Sequence, residues 1–222
     1  MQPGRITPGV VRIGDTVRRP ASPGTPDLLR LLESRGFAGA PRYLGRDDEG
    51  RDILTYLEGA VGPFQRWQDE QVAAFGVLLR AFHDATRTAP HEVICHHDPG
   101  PNNTIFRGDR PVALIDFDTA AVGSPLEDLG YAAWTWCIAS KHDDPDRQAA
   151  QVRVLADGYA ATEPQRAVLV DAILERQSRN VRFWTETQAE VTPQQRADRI
   201  AWSRREHDFT TRHRPTFEAC LG

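Results

Sequence analysis

Val93-Ile94-Cys95-His96-His97-Asp98-Pro99-Gly100-Pro101-Asn102-Asn103-Thr104-Ile105-Phe106, followed closely by Leu114-Ile115-Asp116-Phe117-Asp118, is the stretch on which the reading of this 222-residue chain turns. An apolar run breaks into a loop with Asp98 near its start and Asn103 near its end. Thr104 to Phe106 form a short strand, Gly108-Asp109 turns the chain, and Val112 to Phe117 return as a second strand that delivers Asp116. The hairpin sets an aspartate, an asparagine and a second aspartate side by side at its mouth, on loops held by a rigid base. Those residue types suit phosphoryl transfer. The moving group carries its charge on outer oxygens, so catalysis is mostly positioning and cation clamping. Hard oxygen ligands hold Mg²⁺ while another carboxylate takes the acceptor's proton. Asp98 fits the base, and Asn103 and Asp116 fit the metal.

Working outward, the pattern H-x-D-x-x-x-x-N (His96, Asp98, Asn103) followed by I-D-F-D (Ile115 to Asp118) resembles the aminoglycoside phosphotransferase and choline-kinase-like family, relatives of the protein kinases. Gly123-Ser124-Pro125-Leu126-Glu127-Asp128-Leu129-Gly130 looks like the family's segment after the metal aspartate. Ile53-Leu54-Thr55-Tyr56-Leu57-Glu58-Gly59 looks like its hinge. The resemblance implies an α+β, two-lobed protein-kinase-like fold with a small antiparallel-sheet N-lobe (residues 1–58) and a mostly helical C-lobe (residues 59–222). It implies Mg²⁺, with ATP or GTP as co-substrate and the nucleotide base meeting Thr55, Tyr56 and Leu57. It gives His96 and Asp128 the job of bracing the catalytic loop. Asp118 is either a carboxylate behind the metal ligand or a solvated loop residue.

The sequence departs from the family in three places. His97 stands where the family usually has glycine, the small lobe is short, and the only lysine is Lys141, beyond the motifs. No strand lysine is therefore present to meet the nucleotide phosphates. Arg18 or Arg19 is the nearest substitute, Arg18 being assigned to the nucleotide, although guanidinium and ammonium differ in geometry. For the usual helix glutamate the candidates are the Asp27 region and Glu33.

Composition narrows the classes. With 40% hydrophobic and 26% charged residues, the chain is that of an ordinary soluble globular protein. A net charge of −4 offers no basic footprint for nucleic acid. Three cysteines at unrelated spacings favour reduced thiols, and no apolar run reaches membrane-spanning length, so a cytoplasmic location is expected.

In the small lobe, Val10 to Ile13, Thr16 to Arg19, Arg42 to Gly45 and Asp52 to Leu57 read as four antiparallel strands. One helix is expected between the second and third, with Thr25 as its cap. Asp69 to about Ala85 repeats apolar residues at helical spacing. His83-Asp84 reads as a satisfied structural pair, and Trp134 and Trp136 as core. Ser124 to Glu127 fits a capping box, Asp143-Asp144-Pro145-Asp146 an acidic loop, and Thr162 and Thr192 open two further helices.

The function expected is transfer of the γ-phosphate of a nucleoside triphosphate to a hydroxyl of a small molecule. Glu186, Glu190, Glu206 and Asp208 are candidates for a cationic acceptor. A catalytically degenerate relative that only binds is the alternative. A metal-dependent phosphohydrolase built on His83-Asp84, His97-Asp98 and Asp116 is a third, weakened because Pro99-Gly100-Pro101 forbids a helix behind Asp98.

Overall fold

A computed structural model describes residues 9–63, 65–186 and 191–222. Strands β1 (Val11–Ile13), β2 (Thr16–Arg19), β3 (Tyr43–Arg46) and β4 (Asp52–Thr55) form an antiparallel sheet in the order β1-β2-β4-β3. Pairing of β2 with β4 sets Arg19 opposite Asp52. Helix α1 (Thr25–Ser34) buries Leu28, Leu29 and Leu32. Its cap is Gly24, not Thr25 as expected: the chain enters at φ 81°, a left-handed conformation that glycine adopts without strain. Thr25 becomes the first helical residue, its hydroxyl 3.2 Å from that of Ser22.

Past Thr55 the chain crosses to strand β5 (Ala60–Val61), which pairs with β7 (Thr104–Arg107); β7 in turn pairs with β8 (Arg110–Leu114). Strand β6 (Val93–Cys95) pairs with β9 (Ala121–Gly123), so the loop that follows Cys95 leaves one two-stranded ladder and enters another sheet. Helix α2 (Asp69–Ala85) lies beneath, burying Val72, Phe75, Leu79 and Phe82.

Helix α3 (Pro125–Ala132) opens with the expected box: Leu126 N donates to the Ser124 hydroxyl at 3.3 Å, and Ser124 N to Glu127 at 3.3 Å. It runs on as a π-turn (Ala133–Cys137) that buries Trp134 and Trp136. The expected acidic loop is in fact the start of helix α4 (Pro145–Gly158), capped by Asp144. Helices α5 (Glu163–Ala167), α6 (Leu169–Glu186), α7 (Pro193–Arg212) and α8 (Arg214–Leu221) complete the fold.

An aromatic cluster couples core to loop. Phase by phase, Phe75 stacks on Trp136 at 4.1 Å and Trp67 on Phe106 at 4.9 Å, while the Trp136 indole N–H donates to Pro99 O at 3.1 Å. Cys95 and Cys137 are buried free thiols, and Cys220 is half-buried. Burial raises both buried thiols above the ordinary cysteine range.

Candidate active site

The loop from His96 to Gly100 is held at nearly every backbone group. Asp128, fully buried on α3, accepts the amides of His96 at 2.6 Å and His97 at 2.7 Å, and its Oδ2 lies 3.0 Å from His83 Nε2. Burial opposes its charge, but His83 and the loop amides outweigh that and hold its carboxyl below the ordinary aspartate range. The far side of His83 meets the Tyr159 hydroxyl at 2.8 Å. The carbonyls are held as well: His96 O accepts from the Thr119 hydroxyl, His97 O from Arg176, Asp98 O from Asn103 and Gly100 N, and Pro99 O from Trp136. A loop this fully satisfied is rigid, which is what a positioning site needs.

His96 crosses beneath the loop. Its Nε2 is 3.0 Å from Ile115 O, so that nitrogen carries the proton, and Nδ1 accepts from Asp98 N at 3.3 Å. His97 adopts φ 64°. That explains why glycine suits this position: the loop turns through left-handed backbone here, and the bonds of His97 N to Asp128 and of its ring to Thr119 O offset the cost.

Asn103 ends the 3₁₀ turn Pro101–Asn103, and its Nδ2 donates to Asp98 O at 3.0 Å and Asp98 Oδ2 at 2.9 Å. That orientation leaves Asn103 Oδ1 for another partner. Asp116 follows β8 in left-handed backbone, φ 67°. Burial, then the neighbouring Asp118, raise its carboxyl above the ordinary range, with Arg19 working the other way. A carboxylate and an amide oxygen are donor types that suit a hard divalent cation.

Arg19 reaches this group from the small sheet. It is 7% exposed, its guanidinium pairs with Asp118 and stands 3.6 Å from Asp116, and its Nε is buried with no hydrogen-bond partner. Arg18, one residue away on β2, points to the other face, where it meets the Thr16 hydroxyl at 2.6 Å and Asp47 at 3.7 Å. Alternation along the strand thus turns Arg18, the residue assigned to the nucleotide from sequence, away from the hairpin and brings Arg19 to it. Asp118 is not a free loop residue but a partner of Arg19. Neither candidate for a helix acid joins it, since Asp27 pairs with Arg30 and Glu33 with Arg42.

At the hinge, Thr55 N donates to Arg42 O and Tyr56 N to Asp15 O. Among the described residues, Leu57 N has no such partner. The His-Asp pairs do not converge. His83 faces Asp128, Asp84 pairs with Arg80 and Arg87 at the surface, and the His97 ring turns to Thr119, so these pairs form no common ligand set among the described residues. Of the acidic acceptor candidates, Glu206 is buried with both oxygens on Ser140, Asp208 is exposed beside His207, Glu186 ends α6, and Glu190 lies outside the described residues.

Sequence reasoning missed two residues at the Asp98 loop. The Tyr131 hydroxyl donates to Asp98 Oδ1 at 2.5 Å, and Arg176, buried on α6, lies over the Tyr131 ring at 5.1 Å while donating to His97 O. The available signal was the position of Tyr131, three residues after Asp128 on one helix face.

Residues 27–169, which contain Asp98, Asn103, Asp116 and Asp128, match the phosphotransferase enzyme family. The chain belongs to that family. This phosphotransferase is thus a kinase-class enzyme of small molecules. It is 33% identical to the trifolitoxin immunity protein of Rhizobium leguminosarum bv. trifolii over 98% of this chain and 96% of that protein. In three dimensions it resembles a choline/ethanolamine kinase family protein from Mesorhizobium loti, with a TM-score of 0.62 and 17% identity over 96% of this chain and 88% of that one. It also resembles a spectinomycin phosphotransferase solved with ADP and spectinomycin, with a TM-score of 0.64 and 12% identity over 91% and 85%. The phosphotransferase fold is accordingly the two-lobed, protein-kinase-like one.

Proposed function

We propose that this phosphotransferase moves the γ-phosphoryl group of ATP or GTP to a hydroxyl of a small molecule. The observation that carries the reading is the convergence of Asp98, Asn103 and Asp116 on one rigid loop and hairpin. Asp98 orients the acceptor hydroxyl and takes its proton. Asn103 Oδ1 and the Asp116 carboxylate would hold Mg²⁺, which when bound offsets charge on the phosphates. Arg19 supplies the cation that a strand lysine gives elsewhere, its planar fork suiting phosphate oxygens. The hinge at Thr55, Tyr56 and Leu57 meets the nucleotide base, the Leu57 amide being its open donor.

Calorimetric titration of ATP and GTP, with and without Mg²⁺, tests this in the wild type and in Asp116→Asn. Binding that needs Mg²⁺ and weakens in the variant supports the reading. Failure of both nucleotides to bind removes it and leaves a binding protein.

A second reading rests on the full-length likeness to the trifolitoxin immunity protein. The phosphotransferase would protect its host from a toxin, either by phosphorylating a hydroxyl on it or by binding alone. Protection of a host exposed to trifolitoxin, compared between the wild type and Asp98→Ala, separates the two routes. Loss of protection in the variant assigns it to catalysis, and full retention assigns it to binding.

A further inference from the structure

We infer that Tyr131 is a placeholder for the acceptor, a positioning residue whose phenol sits on the base where the acceptor's hydroxyl must sit and keeps water from it. The inference rests on the phosphotransferase reading above. The two oxygens of Asp98 are not equivalent. Oδ2 is committed to the Asn103 amide at 2.9 Å, on the side of the proposed metal ligands. Oδ1 is the oxygen left to receive a proton from an acceptor, and the structure already places a hydroxyl there, Tyr131 Oη at 2.5 Å. A phenol donating to a carboxylate at that distance makes the contact a substrate hydroxyl would make.

The tyrosine is aimed at Asp98 by its helix and its neighbours. Asp128, which carries the loop amides, lies one helical turn before it on α3, so one helix sets both the loop and the hydroxyl. Gly130 lets that helix press against α6, because a Cβ there would stand 2.7 Å from the backbone of Ala172. From α6, Arg176 covers the ring at 5.1 Å, and Trp134 meets its edge at 5.7 Å. Asp98 and Tyr131 are both half-buried, so the pair is reached from solvent. Water is therefore the standing competitor for Oδ1. Its attack on a bound nucleoside triphosphate is the side reaction that a kinase must suppress before its acceptor arrives. An arriving acceptor exchanges its hydroxyl for that of Tyr131 by rotation of the phenol off Oδ1.

Tyr131→Phe keeps the ring and removes the hydroxyl, and the test needs no acceptor. Hydrolysis of Mg-ATP and Mg-GTP by the full chain is compared between wild type and variant, with nucleotide affinity measured by calorimetry and the protein mass recorded after each incubation. Equal affinity shows that the variant is folded and loaded. The expected result is equal affinity with hydrolysis raised at least about tenfold in Tyr131→Phe, below the full contribution of a positioned base. Equal affinity with unchanged or slower hydrolysis overturns the inference. A phosphate on Tyr131 in the wild type also overturns it, because the hydroxyl is then an acceptor in its own right. If the wild type binds neither nucleotide, the phosphotransferase reading itself falls and takes this inference with it. A defect confined to the variant's affinity makes Tyr131 a structural residue and overturns the placeholder role alone.

Discussion

Asp98 has three polar neighbours that fix it: the Asn103 amide, the Tyr131 hydroxyl and the His96 ring behind its own amide. Among the described residues, these bonds come from the loop, the 3₁₀ turn and α3. Asp98→Ala is accordingly expected to lower turnover by about 10²-fold or more while nucleotide affinity stays within a few-fold, as read by steady-state kinetics beside calorimetry. Unchanged turnover would remove Asp98 from the chemistry. At this scale the sequence spacing made the placement of Asp98, Asn103, Asp116 and Asp128 legible, because all four lie within one loop, one hairpin and the first turn of one helix. Tyr131 was invisible because nothing local says that its ring turns back over the loop, and that depends on how α3 packs against α6. The choice between Arg18 and Arg19 was invisible for a related reason. Period-two alternation says that they face opposite ways, but only the pairing of β2 with β4 says which face is inward.

Two elements carry the site from behind, and each can be probed alone. In Asp128 the folded carboxyl is held below its unfolded value by His83 and the loop amides despite burial. A depressed acid stabilises the fold above its unfolded pKa, near 3.9, and that contribution disappears as pH falls through the lower folded value. Denaturant unfolding of the wild type should therefore weaken below about pH 4, and Asp128→Asn should lose about 3–5 kcal/mol at pH 7 while showing a flatter acid limb. The packing of α2 on α4 is the second probe. A Cβ at Gly158 would stand 2.4 Å from Ala73 O, and one at Gly76 2.7 Å from Leu155 O. Gly158→Ala should cost about 1–3 kcal/mol through forced separation of the two helices, visible as a lowered melting temperature. Helix α2 was legible from its apolar repeat. Helix α4 was not, because Gln148 and Gln151 occupy its inner face and bond Ala139 and Trp67 there, which blunts the periodic signal. The break between α5 and α6 was missed too: the helix expected from Thr162 parts at Val168, which is 41% exposed there.

Across the whole molecule, Arg19 ties the small sheet to the hairpin, standing on β2 and pairing with Asp118 and Asp116 beyond β8. Arg19→Gln should lower nucleotide affinity about tenfold or more, the cost of one charge-assisted bond, with little change in folding of the helices. Calorimetry with circular dichroism checks both, and unaltered affinity would leave the phosphates to some other cation. The fold class was legible because two motifs at a fixed separation imply the hairpin between them; the span between the small sheet and that hairpin was not, since it needs the register of both. The three thiols extend the same view to motion. Cys95 lies under the loop, Cys137 under the aromatic cluster, and Cys220 is half-buried near the C-terminal end of the chain. A thiol reagent thus meets one cysteine quickly and two only when the interior opens, so the delay before Cys95 and Cys137 react is a clock for breathing of the floor beneath the loop.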